Sequence, residues 1–286
     1  MHSWQPSKYL QDPQEYRQKY VSETTGQGKF ALIVLNQPIL IQRHLFENVW
    51  NNATYRFCAD GGANRLYDLL GTDDERAKKP PQQKRYLPDY IRGDLDSLRD
   101  SVKEYYVSKN VPVERVDDVV TTDFMKCVEL VRVRDQQSDP AASSTISTGS
   151  PEQLIQEQQE RLTAPLSVVA LGGTGGRFDQ SMSSIHYLYI LNQERQATLI
   201  SDESVIIVLE TGKHEITCDL DIEGPTCGII PVGSSEAMLT TTGLKWDVEN
   251  WISSFGTQIS TSNALVGSRV TIETNAPVVW TTELKR

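Results

Sequence analysis

Residues 54–70 read TYRFCADGGANRLYDLL, and this stretch combines a strand pattern with a helix pattern. TYRFCA (54–59) is apolar and aromatic enough to form a buried strand, and it ends at Asp60. After two glycines, ANRLYDLL (63–70) places its leucines at helical spacing. A strand, a glycine turn and a helix in succession form the repeating unit of an α/β sheet. In open sheets of this kind, ligands bind where the strands end.

The same alternation extends on both sides of this stretch. Further strands are predicted at ALIVLN (31–36), PDYI (88–91), PVERVD (112–117) and LSVVAL (166–171). Between them lie helical patterns, one with Ser97 as its cap and another with Thr121 or Thr122. A further helix is predicted to place Phe178, Met182, Ile185 and Tyr189 on one face. We therefore predict an α/β N-terminal domain with a mainly parallel sheet over residues 29–196.

The pattern changes after about residue 197, where helical spacing stops. Successive short β patterns, separated by Gly, Pro, Asp and Asn, predict an all-β antiparallel sandwich domain over residues 197–286. Residues 1–28 are polar without a clear period, and they predict an N-terminal arm. Residues 135–163 are rich in Gln, Ser, Thr and Pro, which predicts a disordered insertion within the α/β domain.

The composition narrows the class of protein. The chain has 286 residues and a formal net charge of −10, from 28 Lys and Arg against 38 Asp and Glu. Nucleic-acid binding needs a positive surface, so this charge argues against nucleic acid as the main partner. Four widely spaced cysteines do not match a zinc site and are typical of a reducing compartment. Without a secretion-signal layout or a membrane-length apolar run, we expect a cytoplasmic enzyme with no membrane partner.

Acidic residues follow several of the predicted strands. Asp60 follows the strand at 54–59, Asp94 and Asp96 follow the strand at 88–91, and Asp123 precedes a helix. Converging carboxylates repel one another unless a cation lies among them, and Mg²⁺ prefers such oxygen ligands while it bridges substrate phosphates. A single Asp at a strand end is more often only a turn former or helix cap. The four together predict a magnesium site, with Asp94, Asp96 and Asp123 as metal ligands.

A glycine-rich loop follows the predicted strand at 166–171. GGTGGR (172–177) matches neither a Walker A loop nor the GxGxxG pattern. Its glycines nevertheless allow close backbone approach to an anion, and the following helix offers its first N–H groups. We predict phosphate binding by Gly172, Gly173, Gly176 and Arg177, with Lys126 as a second cation. An ordinary glycine turn is the alternative for this run by itself.

The β half carries a possible pocket for a flat ligand. Trp246 would stack on a heterocycle or attract a cation, and Ser262 and Asn263 would read its polar edges. The alternative is that Trp246 belongs to the core and that the Ser/Thr run is an exposed strand.

Eight segments together resemble the eukaryotic thiamin pyrophosphokinase (thiamine diphosphokinase) family, and they occur in the family's order. The segments are CADGGANRLYD (58–68), PDYIRGDLDS (88–97), TTDFMKC (121–127), LGGTGGRFDQ (171–180), CGIIPVG (227–233), TTTGLKWD (240–247), FGTQISTSN (255–263) and VTIETNAPVVWT (270–281). The resemblance covers most of residues 30–134 and 166–283.

This resemblance implies an enzyme that transfers the pyrophosphoryl group of Mg-ATP to the hydroxyl of thiamine and releases AMP. It also implies a homodimer with active sites at the subunit interface. By position, the resemblance places Asp60, Asp94, Asp96 and Asp123 around the metal and the reacting phosphates. It assigns nucleotide binding to Gly172, Gly173, Gly176 and Arg177, and thiamine binding to Trp246, Ser262 and Asn263.

The chain departs from the family pattern just before Asp123. The family commonly has a Gln there, whereas this chain has Asp117-Asp118-Val119-Val120. A substrate contact is then missing, or Asp118 supplies it after a local shift. One alternative is therefore a non-catalytic thiamine or nucleotide sensor that kept the pocket. Another is a different Mg-dependent phosphotransferase or a DxD sugar-nucleotide enzyme, which would leave the pocket residues around Trp246 unexplained.

Overall fold

The computed structural model describes residues 1–69, 86–138 and 164–285. Its helices are a 3-10 helix (Pro6–Leu10), α1 (Pro13–Tyr20), α2 (Arg43–Asn52), α3 (Gly62–Leu69), α4 (Asp100–Ser108), α5 (Asp123–Ser138) and α6 (Phe178–Leu191). The strands up to the glycine-rich loop are β1 (His2–Trp4), β2 (Phe30–Val34), β3 (Tyr55–Ala59), β4 (Tyr90–Gly93), β5 (Val113–Arg115) and β6 (Ser167–Leu171). The later strands are β7 (Ala197–Ile200), β8 (Ser204–Leu209), β9 (Gly212–Thr217), β10 (Glu223–Ile230), β11 (Ala237–Thr242), β12 (Trp251–Ser253), β13 (Ser260–Ala264), β14 (Arg269–Thr274) and β15 (Val278–Leu284).

These elements form two compact units that alternate along the chain. The first, here the parallel unit, contains Gln14–Asn36 and the described part of Ala53–Val168. The second, the sandwich unit, contains Met1–Pro13, Gln37–Asn52 and the described residues from Val169 onward.

The parallel unit is built on a sheet in which β2, β3, β4 and β5 are neighbours in that order and run parallel. Every residue of β2 is buried, as expected for a parallel strand that is covered on both faces. The apolar stripe of α5, including Cys127, Val128 and Val131, is also buried. This arrangement confirms the predicted α/β domain with a mainly parallel sheet.

The sandwich unit contains two sets of mostly antiparallel strands. One sheet has the order β1-β9-β14-β11-β12, and the other set has the order β13-β10-β15-β8-β7. Their shared core includes Ile207, Ile216, Ile229, Leu239, Ile272 and Trp280. The predicted antiparallel β domain is confirmed. The sequence did not predict β12, because three residues are too few to show an alternating pattern.

The N-terminal residues differ from the predicted polar arm. Strand β1 pairs in parallel with β9, so that His2 lies opposite His214 and Trp4 opposite Ile216. Leu10 and Tyr16, in the helical turns that follow, are fully buried. A short strand, a 3-10 turn and a two-turn helix are each too brief to give a period, so their burial is decided by distant partners.

One predicted helix cap is wrong. Helix α4 begins at Asp100 after Arg99, and Ser97 does not cap it; the Ser97 hydroxyl instead donates to the carboxylate of Asp96. Helix α6 forms where it was predicted, but the face that carries Phe178 is not its buried one: Phe178 is exposed, and the helix buries Ser184, Tyr187, Leu188 and Leu191. By contrast, Thr122 caps α5, accepting a hydrogen bond from the amide of Met125 (3.3 Å).

The predicted insertion lies mostly outside the described residues. Helix α5 continues to Ser138, into the first residues of the predicted insertion at 135–163, and residues 139–163 lie outside the described part of the chain. None of the helices in the described ranges is long and apolar enough to cross a membrane.

Candidate functional site

Asp60 lies directly after β3 in a backbone conformation that Asp tolerates better than most residues. Its φ is +43°, in the left-handed region, and its side chain is almost fully buried. The glycine at 62, two residues on, is required by close packing: a Cβ there would lie 2.1 Å from the carbonyl oxygen of Val34. The turn therefore brings α3 tightly against the sheet and directs the Asp60 carboxylate inward.

Asp94 and Asp123 join Asp60 from two other segments of the parallel unit. Carboxylate oxygens of the three residues all lie within 4.8 Å of one another. The Asp123 carboxylate accepts a hydrogen bond from the backbone amide of Asp94 (3.2 Å). A Cβ at Gly93 would lie 2.6 Å from the Cβ of Asp60, so only glycine permits this approach. We call these three carboxylates the carboxylate cluster.

Asp96 is not a member of the carboxylate cluster. Its carboxylate accepts a hydrogen bond from the hydroxyl of Ser97 (2.9 Å), and its backbone amide donates one to the carboxylate of Asp94 (3.1 Å). Leu95, between the two acids, has a φ of +64°, which turns the chain sharply at this point. The DxD pair therefore sends one carboxylate into the cluster and leaves the other at its edge.

The electrostatics of the cluster follow from burial and from one lysine. Burial raises the pKa of Asp60 to about 6; the neighbouring carboxylates of Asp123 and Asp94 act in the same direction, and the Ser97 amide acts against them. Lys126 is almost completely buried, and its ammonium lies 3.0 Å from Asp123 and 3.9 Å from Asp94. The sequence assigned Lys126 to phosphate, whereas its contacts in the structure are carboxylates.

The donor set fits a hard divalent cation. Three carboxylates supply oxygen ligands, which Mg²⁺ prefers. One oxygen of Asp60, Oδ1, is buried and has no hydrogen-bond partner among the described residues, whereas Oδ2 accepts the amide of Ser97 (3.0 Å). A buried carboxylate oxygen without a donor is costly unless a cation or water satisfies it.

The glycine-rich loop has the backbone freedom that the sequence predicted. Gly172, Gly175 and Gly176 all have φ in the left-handed region, and a Cβ at Gly176 would lie 2.5 Å from the side chain of Gln37. Helix α6 begins at Phe178, and the side chain of the preceding residue, Arg177, does not cap it. The exposed guanidinium of Arg177 is paired with Asp179, so phosphate binding would require Arg177 to exchange this partner.

Trp246 and Asn263 lie together at a pocket of the sandwich unit. The pocket has a volume of about 210 Å³, and its lining includes Ile229, Thr241, Trp246, Trp251, Thr261 and Asn263. Trp246 is 56% exposed, so it is not a core residue. Ser262 does not line the pocket; it has a φ of +56° and an exposed side chain.

The segment that departs from the family pattern forms a turn before α5. Both carboxylate oxygens of Asp118 are engaged there, one by the amide of Val120 (2.9 Å) and one by the hydroxyl of Thr121 (2.6 Å). Val119 is fully exposed. In this conformation the Asp118 carboxylate stabilises its own turn.

Sequence reasoning missed one residue beside the cluster. Asn64, in α3, is buried and hydrogen-bonded to the backbone on both sides of Leu98. The only sequence signal was the position of a polar residue in the first turn of the helix that follows Asp60.

Two family models match the chain. The model "Thiamin pyrophosphokinase, catalytic domain" matches residues 46–200. The model "Thiamin pyrophosphokinase, vitamin B1 binding domain" matches residues 213–279. The first match includes the carboxylate cluster and the glycine-rich loop, and the second includes Trp246 and Asn263.

Individual relatives agree with these matches. The chain is 39% identical over 264 residues to thiamine pyrophosphokinase 1 of Oryza sativa subsp. japonica, covering 90% of this chain and 88% of that protein. It is 36% identical over 266 residues to thiamine pyrophosphokinase 1 of Arabidopsis thaliana, covering 92% and 90%. The crystal structure of yeast thiamin pyrophosphokinase superposes with a TM-score of 0.77 at 30% identity, covering 99% of this chain and 91% of that one. The fold, the two domain matches and these identities together establish that the chain belongs to the thiamin pyrophosphokinase family.

Proposed function

We propose that this chain is an ATP:thiamine pyrophosphotransferase, which converts thiamine and ATP to thiamine diphosphate and AMP in one step. Family membership makes it an ATP-dependent enzyme of thiamine diphosphate synthesis. The observation that carries the catalytic part of the proposal is the convergence of Asp60, Asp94 and Asp123 within 4.8 Å of one another.

In the proposed reaction, the hydroxyethyl oxygen of thiamine forms a bond to the β-phosphorus of ATP. The bond between that phosphorus and the oxygen that bridges to the α-phosphorus breaks, and AMP leaves with the bridging oxygen. One carboxylate among Asp60, Asp94, Asp96 and Asp123 accepts the hydroxyl proton. Such transfers depend mainly on positioning and on charge neutralisation, so no covalent enzyme intermediate is required.

Mg²⁺ is the proposed cofactor. The sequence assigned Asp94, Asp96 and Asp123 as ligands; the distances between the carboxylates favour Asp60 with Asp94 and Asp123, and leave Asp96 at the edge. When bound, Mg²⁺ would neutralise charge on the phosphates of ATP. Lys126, which already neutralises part of the carboxylate charge, helps to keep the three acids together before a metal binds.

The substrates are assigned to the two remaining groups of residues. Gly172, Gly173, Gly176 and Arg177 would bind the phosphates of ATP through backbone N–H groups and the guanidinium. The pocket at Trp246 and Asn263 would bind thiamine, and Ser262, which the sequence also assigned to thiamine, lies outside its lining. The ammonium of Lys245 lies 4.7 Å from the centroid of the Trp246 ring, which indicates that this face attracts cations, as a thiazolium ring would require.

The family resemblance adds a homodimer with active sites between subunits, and light scattering coupled to size-exclusion chromatography tests this. A cytoplasmic location belongs to the same proposal, supported by four buried thiols without disulfide partners. Cell fractionation tests the location.

The decisive experiment incubates the purified chain with thiamine, ATP and Mg²⁺ and quantifies thiamine diphosphate, AMP and ADP together. Equal amounts of thiamine diphosphate and AMP, abolished by a chelator and by Asp94→Asn, are expected. Asp221→Asn, an exposed acid of the sandwich unit, serves as the matched control and should react like the wild type. ADP in place of AMP would contradict pyrophosphoryl transfer, and thiamine binding without AMP would favour the sensor.

A further inference from the structure

Asn64 makes hydrogen bonds to the loop that carries Asp94. Its Nδ2 donates to the carbonyl oxygen of Ser97 (2.7 Å), and its Oδ1 accepts from the amide of Arg99 (3.1 Å). These partners fix the orientation of the amide, since a flipped amide would set oxygen against oxygen and N–H against N–H. Asn64 is only 8% exposed, and both hydrogen bonds are partly buried.

The same loop is hydrogen-bonded to Asp60, four residues before Asn64. The Oδ2 atom of Asp60 accepts from the amide of Ser97 (3.0 Å). The N–H and the C=O of Ser97 are therefore both held by side chains from the turn and first residues of α3. A member of the carboxylate cluster and Asn64 thus hold one residue of the loop between them.

The position of Asp94 depends on this attachment. Asp94 lies three residues before Ser97, across the left-handed turn at Leu95. The outer end of the loop also has an ion pair between Arg99 and Asp68, but both side chains are about half exposed, and such pairs contribute little. The buried amide of Asn64 is the stronger constraint on the loop.

We propose that Asn64 is a positioning residue for the metal-binding carboxylates. By tying the loop at Ser97 and Arg99 to α3, it sets the distance between Asp94 and Asp60 and hence the affinity of the carboxylate cluster for a divalent cation. This inference rests on the proposed function of the cluster. Loss of a residue that orients metal ligands commonly lowers metal affinity by about 10–100-fold.

The test measures Mn²⁺ binding to the full-length chain by calorimetry and by electron paramagnetic resonance, without substrates. Asn64→Ala is expected to weaken Mn²⁺ binding at least about tenfold. In steady-state assays it should raise the Mg²⁺ concentration for half-maximal rate by a similar factor, with the thiamine KM unchanged. If Asn64 only stabilised the fold, its loss would not change the Mg²⁺ requirement while leaving the thiamine KM unchanged.

Asn52 provides a matched control. It is also 8% exposed, and its Nδ2 donates to the backbone carbonyls of Tyr9 (3.0 Å) and Gln11 (2.8 Å) in the sandwich unit. Asn52→Ala should lower the melting temperature comparably and leave Mn²⁺ affinity within about twofold. Asp68→Asn, which weakens the exposed ion pair with Arg99, should also leave Mn²⁺ affinity nearly unchanged.

The outcomes separate this inference from the proposed function. If the wild type binds Mn²⁺, Asp94→Asn abolishes binding and Asn64→Ala binds like the wild type, the positioning role is wrong while the metal site stands. If the wild type and Asp94→Asn give the same Mn²⁺ binding, the metal site itself is wrong, and the role of Asn64 with it. Should Asn64→Ala not fold, Asn64→Ser replaces it, because a serine hydroxyl is too short to reach both backbone partners and should show the same weakened binding.

Discussion

The side-chain amide of Asn263 holds the backbone of Trp246 at two points. Its Oδ1 accepts from the Trp246 amide (3.2 Å), and its Nδ2 donates to the Trp246 carbonyl oxygen (3.0 Å). Oδ1 also accepts from the amide of Ala264 (2.8 Å), which accounts for both lone pairs of that oxygen. Asn263 is therefore committed to fixing the loop that presents the exposed indole at the pocket.

These two hydrogen bonds between Asn263 and Trp246 lead to a prediction about thiamine binding. Trp246→Ala should weaken thiamine binding by about 1–3 kcal/mol through loss of stacking and cation–π contact. Asn263→Ala should weaken it about tenfold, and adding it to Trp246→Ala should have no further effect if Asn263 acts through Trp246. Calorimetric titration of all three variants measures the coupling. Additive losses would instead assign Asn263 a separate contact with thiamine.

A second prediction separates the acids of the DxD pair. Asp94→Asn and Asp123→Asn should each lower kcat at least about a hundredfold and abolish Mn²⁺ binding, because each removes charge from the cluster. Asp96→Asn should lower kcat by a similar factor but retain Mn²⁺ binding, since its carboxylate bonds to Ser97 outside the cluster. Binding of Mn²⁺ that depends equally on Asp94 and Asp96 would restore the ligand set predicted from the sequence.

A third prediction concerns the close approach at Gly93. A Cβ in Gly93→Ala would lie 2.6 Å from the Cβ of Asp60 and 3.0 Å from a carboxylate oxygen of Asp123, which forces the cluster apart. We expect loss of Mn²⁺ binding and a destabilisation of about 1–3 kcal/mol, measured by calorimetry and urea unfolding. Gly267→Ala is the control, because nothing lies within 4 Å of a Cβ there. Unchanged metal binding in Gly93→Ala would show that the cluster tolerates expansion.

A fourth prediction concerns pH and the N-terminal strand. The Nδ1 atom of His214 accepts the indole N–H of Trp4 (3.0 Å), and its Nε2–H donates to the carbonyl oxygen of Glu210 (2.7 Å). The imidazole must be neutral to accept from Trp4, and burial lowers its pKa, with His2 and the N-terminal amine acting in the same direction and Glu210 against them.

The sign of the pH effect follows from this shift. A histidine whose pKa is lowered on folding stabilises the folded state above the unfolded value, about 6.5, and this stability is lost as pH falls through the folded pKa. Residues 1–10 should therefore exchange amide hydrogens faster at pH 5 than at pH 7.5, after correction for intrinsic rates. In His214→Phe this pH dependence should disappear. A wild type with equal protection at both pH values would exclude the effect.

The sequence determined more about the parallel unit than about the N-terminal segment. The buried strands β2 and β3 and the capped helix α5 have patterns that local spacing reveals, because an apolar run or a helical stripe reflects one continuous face. Strand β1 and the buried Leu10 give no such pattern. Strand β1 is ordered by partners some two hundred residues away, such as His214 for His2, and the turn that contains Leu10 packs against α2 and β8.

The residues of the site show the same division. The sequence by itself predicted that Asp60, Asp94, Asp96 and Asp123 would converge, because the carboxyl ends of neighbouring parallel strands lie at one edge of the sheet. The structure brings three of them, Asp60, Asp94 and Asp123, within 4.8 Å of one another. Only the tertiary structure decided that Asp96 lies outside the carboxylate cluster and that Lys126 contacts carboxylates. It also decided that Asn263 is hydrogen-bonded to the backbone of Trp246. The physical reason is that side chains on loops take their direction from local backbone angles, such as the left-handed φ of Leu95, and from hydrogen-bond partners that are distant in sequence.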